Sequence, residues 1–112
     1  MSKQLYFIGY NGITETSLSE VLEPMPKEWH PLITKLIEKL FLAGWDGEIS
    51  QIKEKFGELR FYIGRGNDEI FELIDDAEYF SSRRCDVCGK FATNYKVIND
   101  WFVNRCFEHK ED

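Results

Sequence analysis

Cys85-Asp86-Val87-Cys88-Gly89-Lys90 and, separated from Cys88 by seventeen residues, Cys106-Phe107-Glu108-His109 form two pairs of metal-binding residue types with the same internal spacing. Two residues between the members of a pair let both donors face one side of a tight turn. The stretch between the pairs is long enough for a hairpin that folds one pair onto the other. The spacing predicts a closed tetrahedral site in which Cys85, Cys88, Cys106 and His109 hold a structural Zn2+, with every cysteine of the chain used. Two other readings of the thiols stand beside it, a redox pair and unligated buried cysteines. A redox C-x-x-C wants a βαβ setting, which Arg83-Arg84 before it and Gly89-Lys90 after it do not supply. Gly89 suits a metal knuckle instead, where a positive φ is often needed.

Residues 91–98 and 101–105 read as two short strands turned at Asn99-Asp100, which would carry Cys106 and His109 back to the first pair. Knuckle, hairpin and second pair, over residues 83–112, is the order of a treble-clef or zinc-ribbon-like module. Phe91, Tyr95, Trp101, Phe102 and Phe107 are expected to shield the metal and bind the module to the rest of the chain. So small a unit has little apolar core, so metal binding should be part of its folding free energy.

Upstream, residues 1–82 read as an α+β body, a small antiparallel hairpin or sheet packed with two helices. Asn67 followed by Asp68-Glu69 is a helix start: a capping side chain, then carboxylates over the positive end of the helix dipole. Ile70, Leu73, Ile74, Ala77 and either Phe80 or Ser81 form its apolar stripe to about Ser82. Its other side gathers Glu72, Asp75, Asp76 and Glu78, a solvated acidic face and a candidate partner surface rather than a divalent-metal or acid/base site, because no second element offers matched ligands. Before it, the period is two over residues 49–55 and 58–63, giving a hairpin turned at Phe56-Gly57. Lys53, Glu54, Lys55, Glu58 and Arg60 there are expected to pair across the strands.

Trp29, Leu32, Ile33, Leu36, Ile37, Leu40 and Phe41 recur at helical spacing and predict a helix from about 28 to 43, ended by Gly44. Leu5-Tyr6-Phe7-Ile8 predicts a strand over about 4–10, with Asn11-Gly12 as the centre of a turn into a second strand beginning at Ile13. Residues 14–23 are open between a brief helix and an ordered loop, closed by Pro24 and Pro26.

Nine Phe and three Trp among 112 residues, and 43% hydrophobic residues, are ample for a packed core and exclude global disorder. No apolar run is long enough to cross a bilayer. An odd number of cysteines, with Met1-Ser2-Lys3-Gln4 leading into a strand rather than a leader's hydrophobic region, predicts a reducing cytoplasmic compartment. The net charge of −6 is uneven: residues 1–82 carry −7 and residues 83–112 carry +1. An acidic body argues against general nucleic-acid binding, which rests on phosphate neutralisation.

Gly44-Trp45, the run Gln51-Ile52-Lys53-Glu54-Lys55-Phe56-Gly57-Glu58-Leu59-Arg60-Phe61-Tyr62, Ala77-Glu78, Ser81 and the closing cysteine and histidine pairs together resemble a family of small bacterial and phage proteins. Its members share a Lys-Glu-Lys-Phe-Gly-x-Leu-Arg-Phe-Tyr core and a terminal zinc motif. The resemblance covers about residues 29–109; residues 91–99 lack the Gly and Arg that relatives often carry there. It implies a phage or prophage source, where small acidic proteins often act by binding a host enzyme or defence protein.

Two functions follow as expectations. One is a non-enzymatic interaction protein, scaffolded by zinc, whose acidic face engages a basic surface on a host or viral protein and inhibits it. The other is a nucleic-acid-binding accessory factor that uses the locally basic module through Trp101, Phe102 and Arg105. Catalysis by zinc would need an open coordination position, and four ligands leave none.

Overall fold

The computed structural model describes residues 4–83, Cys85, Cys88, Lys90, Ala92, residues 94–98 and 101–106, and Glu108. The fold is α+β. Strands β1 (Leu5–Gly9), β2 (Gly12–Thr16), β3 (Glu48–Lys55) and β4 (Glu58–Ile63) form one sheet in the order β2-β1-β3-β4. Helices α1 (Leu18–Leu22), α2 (His30–Leu42) and α3 (Asp68–Ser81) pack with it, and β5 (Asn94–Ile98) pairs with β6 (Trp101–Arg105) in a separate hairpin. Among the described residues no helix is long and apolar enough to cross a membrane.

The sheet is mixed rather than purely antiparallel. β1–β2 and β3–β4 are antiparallel hairpins, and they are joined by parallel pairing of Tyr6 with Glu48 and Phe7 with Ile49. The connection from β2 to β3 runs through α1 and α2, long enough to bring β3 alongside β1 in the same direction. Leu5, Ile49, Leu59 and Phe61 point from the sheet into a core with Trp29, Ile33, Leu36, Ile37 and Leu40 of the α2 segment and Ile70, Ile74 and Ala77 of α3. The predicted helical stripes are therefore the buried ones. Trp45 lies between Phe41, tilted at 43°, and Phe61, edge-on at 60°, at ring-centroid distances of 5.0 and 6.1 Å, and its buried indole Nε1 has no hydrogen-bond partner among the described residues.

Local chemistry sets the boundaries. Of residues 14–23, residues 14–16 belong to β2, and Leu18–Leu22 form a brief helix capped by Ser17, whose Oγ accepts from the Glu20 amide at 3.3 Å. Asn67 Oδ1 accepts from the Ile70 amide at 2.9 Å, as its position predicts. α2 starts at His30 after a single 3-10 turn, Lys27–Trp29, and ends into Gly44 at φ 98°. The first hairpin departs from expectation. Tyr10 and Asn11 lie between the strands, and the positive φ falls on Gly12 (109°), already within β2.

At the second hairpin both central residues have positive φ, Phe56 at 54° and Gly57 at 79°, as in a type I′ turn. Glycine takes this conformation freely, whereas a phenylalanine pays for it sterically. The ring is 90% exposed, so the core offers no compensation; Lys55 Nζ lies 5.9 Å from its centroid. Phe56→Asn, which converts the turn to Asn-Gly, is expected to stabilise the chain by about 1 kcal/mol in a urea titration. A neutral or destabilising result would mean that the ring has a partner in the folded molecule.

Across this hairpin Lys53 faces Arg60, so the charges do not all pair between strands as expected. The ion pair instead lies along β4, Arg60 Nη1 to Glu58 Oε1 at 2.6 Å, with both side chains about one-third exposed. Partial exposure leaves such a contact little stabilising weight.

Candidate metal centre

The polypeptide leaves α3 through Ser82 and Arg83 and turns at once into the first cysteine pair. Two backbone hydrogen bonds hold this turn: the Cys85 amide donates to the Lys90 carbonyl at 2.8 Å, and the Ala92 amide donates to the Arg83 carbonyl. These bonds bring Lys90 back to Cys85 and Ala92 back to Arg83. β5 and β6 pair in regular antiparallel register from Asn94 opposite Arg105 to Ile98 opposite Trp101, which returns the chain to Cys106 directly after β6. The hairpin inferred from the spacing of the pairs is thus present, and it brings the second pair's cysteine to the first pair.

The sulfurs of Cys85, Cys88 and Cys106 all lie within 4.8 Å of one another. Cys88 Sγ is 3.6 Å from Cys106 Sγ, far outside disulfide length, and all three cysteines are free thiols. Metal–sulfur bonds of about 2.3 Å at tetrahedral angles put two thiolate sulfurs roughly 3.8 Å apart, so the cluster has the dimensions of a thiolate cage. Cys85 and Cys106 are buried and form a small cluster with Ala92, separate from the main core, while Cys88 is exposed. For the Cys88 thiol, the Lys90 backbone hydrogen bond pulls the pKa down. Desolvation, hydrogen bonds to the sulfurs of Cys106 and Cys85 and the Cys85 charge together outweigh it, so the pKa stands above the ordinary thiol value. A cation held by the sulfurs would offset this and favour the Cys88 thiolate.

The cluster can therefore hold a metal ion through three sulfurs. His109, the fourth ligand expected from the sequence, lies outside the described residues, as do Gly89, Phe91, Phe107 and the Asn99-Asp100 turn. Arg105, next to Cys106, is 7% exposed, which places a buried arginine beside the thiol cluster.

The acidic residues singled out on α3 divide. Glu72, Asp75 and Asp76 are exposed. Glu78 is half-buried and turned to the sheet: its Oε2 accepts the Phe61 amide at 2.9 Å. Burial pushes its carboxyl above the ordinary range, against the Phe61 amide and Arg60, which favour the charged form. One turn on, Ser81 is buried where the stripe allowed either it or Phe80; its Oγ accepts the Leu59 amide at 2.8 Å and donates to the Glu78 carbonyl at 2.6 Å. Its own carbonyl accepts the Trp29 indole N–H at 3.0 Å. Glu78 and Ser81 thus cap the outer edge of β4.

Two residues of the outer α3 face were not singled out in the sequence. Phe71 (46% exposed) and Tyr79 (52%) flank Asp75 at helical i, i+4, i+8 spacing, and the Arg83 guanidinium lies 3.8 Å from the Tyr79 ring centroid. Aromatic residues off the apolar stripe were the available signal. A cleft of about 450 Å³ between α2 and α3, lined by Leu32, Leu36, Leu73 and Phe80 together with Lys35 and Asp76, borders this face. No family model, curated protein or solved structure matches the chain.

Proposed function

We propose that this chain is a non-enzymatic protein-interaction module of phage type, stapled by structural zinc, whose α3 face docks on a basic surface of a host or viral protein. Cys85, Cys88 and Cys106, with His109 as the fourth ligand, hold the ion; with four protein ligands it supplies rigidity and no reactive water. The observation that carries the reading is the composition of the outer α3 face. Exposed Glu72, Asp75 and Asp76 share it with the half-exposed rings of Phe71 and Tyr79. Aromatic rings framed by charge are the anchors of protein interfaces, and carboxylates steer a basic partner toward them.

The nucleic-acid reading loses one of its three contacts, since Arg105 is buried, and the two others, Trp101 and Phe102, have side chains outside the described set. Affinity capture from host lysate with the zinc-loaded chain is expected to retain a basic protein that elutes with salt. Replacing Asp75 and Asp76 together with lysine should lower its recovery at least about tenfold, as reversed charges at an interface do. Capture that the reversal leaves unchanged, or that yields nothing above background, would remove this reading.

A further inference from the structure

We propose that β2 is a dimerisation edge: two copies of this chain join their sheets by antiparallel β2–β2 pairing about a two-fold axis at Thr14. The two edges of the sheet are finished differently. On β4 the outward amides of Leu59 and Phe61 are taken by Ser81 Oγ and Glu78 Oε2 at 2.8 and 2.9 Å. On β2 nothing equivalent occurs among the described residues. The Tyr6 amide donates to the Gly47 carbonyl at 2.8 Å, on the β3 side, so Tyr6 and its partner Glu15 form a non-hydrogen-bonded pair. The N–H and C=O of Glu15 therefore point away from β1, and those of Ile13, two residues earlier, do the same. Among the described residues none bonds to them.

Edge strands are ordinarily blunted by lysine, proline, a bulge or a covering element. Gly12–Thr16 contains neither lysine nor proline, its pairing with β1 is regular, and Ile13 is 62% exposed. The occupant follows from register. In a two-fold antiparallel pair the outward residues can meet in three ways: Ile13 with Ile13, Glu15 with Glu15, or Ile13 with Glu15 of the other copy. The second sets like charges directly opposite. The first reaches Glu15 only from Asn11, outside the strand. The third uses both outward residues of both copies, forms four backbone hydrogen bonds, keeps the two Glu15 carboxylates apart and sets Thr14 against Thr14, a favourable cross-strand pair. Such an isologous contact closes at two copies. It lies at the sheet edge opposite α3, so it neither rests on nor obstructs the interaction face.

Sedimentation velocity of the zinc-loaded chain from low micromolar to near-millimolar concentration is the test, with hydrogen exchange read in parallel. The wild type is expected to form a dimer, with amide protection at Ile13 and Glu15 that rises with concentration. Ile13→Glu faces Glu15 of the other copy twice and should weaken the dimer by about tenfold or more. Ile13→Lys faces the same carboxylates and should leave it as tight or tighter. A monomer throughout, open-ended association, or equal weakening by both substitutions would overturn the proposal. Unchanged protection of other β1 and β2 amides confirms that each variant is folded.

Discussion

Cys85→Ser is expected to abolish metal retention and unfold the β5–β6 hairpin while leaving the larger core intact. Cys85 is fully buried, and its sulfur is one of three within 4.8 Å. A serine hydroxyl is a poor metal ligand at neutral pH, so the variant leaves the proposed site of Cys88, Cys106 and His109 one ligand short of closure. Among the described residues the buried apolar cluster at the hairpin is Cys85, Ala92 and Cys106, whereas fifteen buried residues form the main core. Structural zinc contributes on the order of 10 kcal/mol to the folding of comparable small units, more than the whole stability of many domains. Hydrogen exchange should show loss of protection at residues 94–98 and 101–105, and a cooperative melt should persist from residues 4–83. A strong chelator should reproduce both results in the wild type. Loading with cobalt(II) provides the thiolate count, through sulfur-to-metal charge-transfer absorption that weakens when any one of the three cysteines is replaced. Retention of one equivalent of metal by the variant, or full protection of the hairpin after chelation, would show that the thiols are not its support.

The parts legible in the sequence were those with local causes. The repeated two-residue spacing of the ligand pairs places their cysteines together. The Asn67 cap and the 3.6-residue stripes of α2 and α3 name their own buried faces, and alternation over residues 58–63 sets Leu59, Phe61 and Ile63 on one face, the one that packs on the core. What escaped notice depends on distant partners. Parallel pairing of β1 with β3 joins Tyr6 to Glu48 across the whole α1–α2 excursion, and periodicity carries no information about which strand lies beside which. Ser81 takes the stripe position over Phe80 because its hydroxyl is needed by the Leu59 amide, a demand that exists only once α3 lies along β4. Glu78 left the acidic face for the same reason. The cost of Phe56 at φ 54° is similarly invisible, since hairpin spacing marks the turn but not its handedness.

Gly47→Ala carries the second large expectation, a loss of about 3 kcal/mol or more, enough to remove much of a small domain's stability. Gly47 stands where the chain swings from α2 into β3, and its carbonyl accepts the Tyr6 amide that ties β3 to β1. Its φ is 87°, which an L-residue adopts at a cost of about 1–2 kcal/mol. A methyl group there would overlap the Gln4 carbonyl oxygen and press on Phe41 Cζ at 3.3 Å. The first obstacle is backbone at the mouth of β1, where Leu5 already pairs with Thr16, so relief requires β1 and β3 to separate. Gly44 supplies the control. Its φ is 98°, but a methyl there meets nothing within 4 Å, so Gly44→Ala should lose only the conformational part. In urea titrations the difference between the two variants isolates the overlap, which is expected to exceed about 1.5 kcal/mol and to lower the melting midpoint by roughly 6–12 °C more for Gly47→Ala than for Gly44→Ala. Equal losses would mean that β1 and β3 can part at this point without cost, and that the parallel contact contributes little to holding the two hairpins in one sheet.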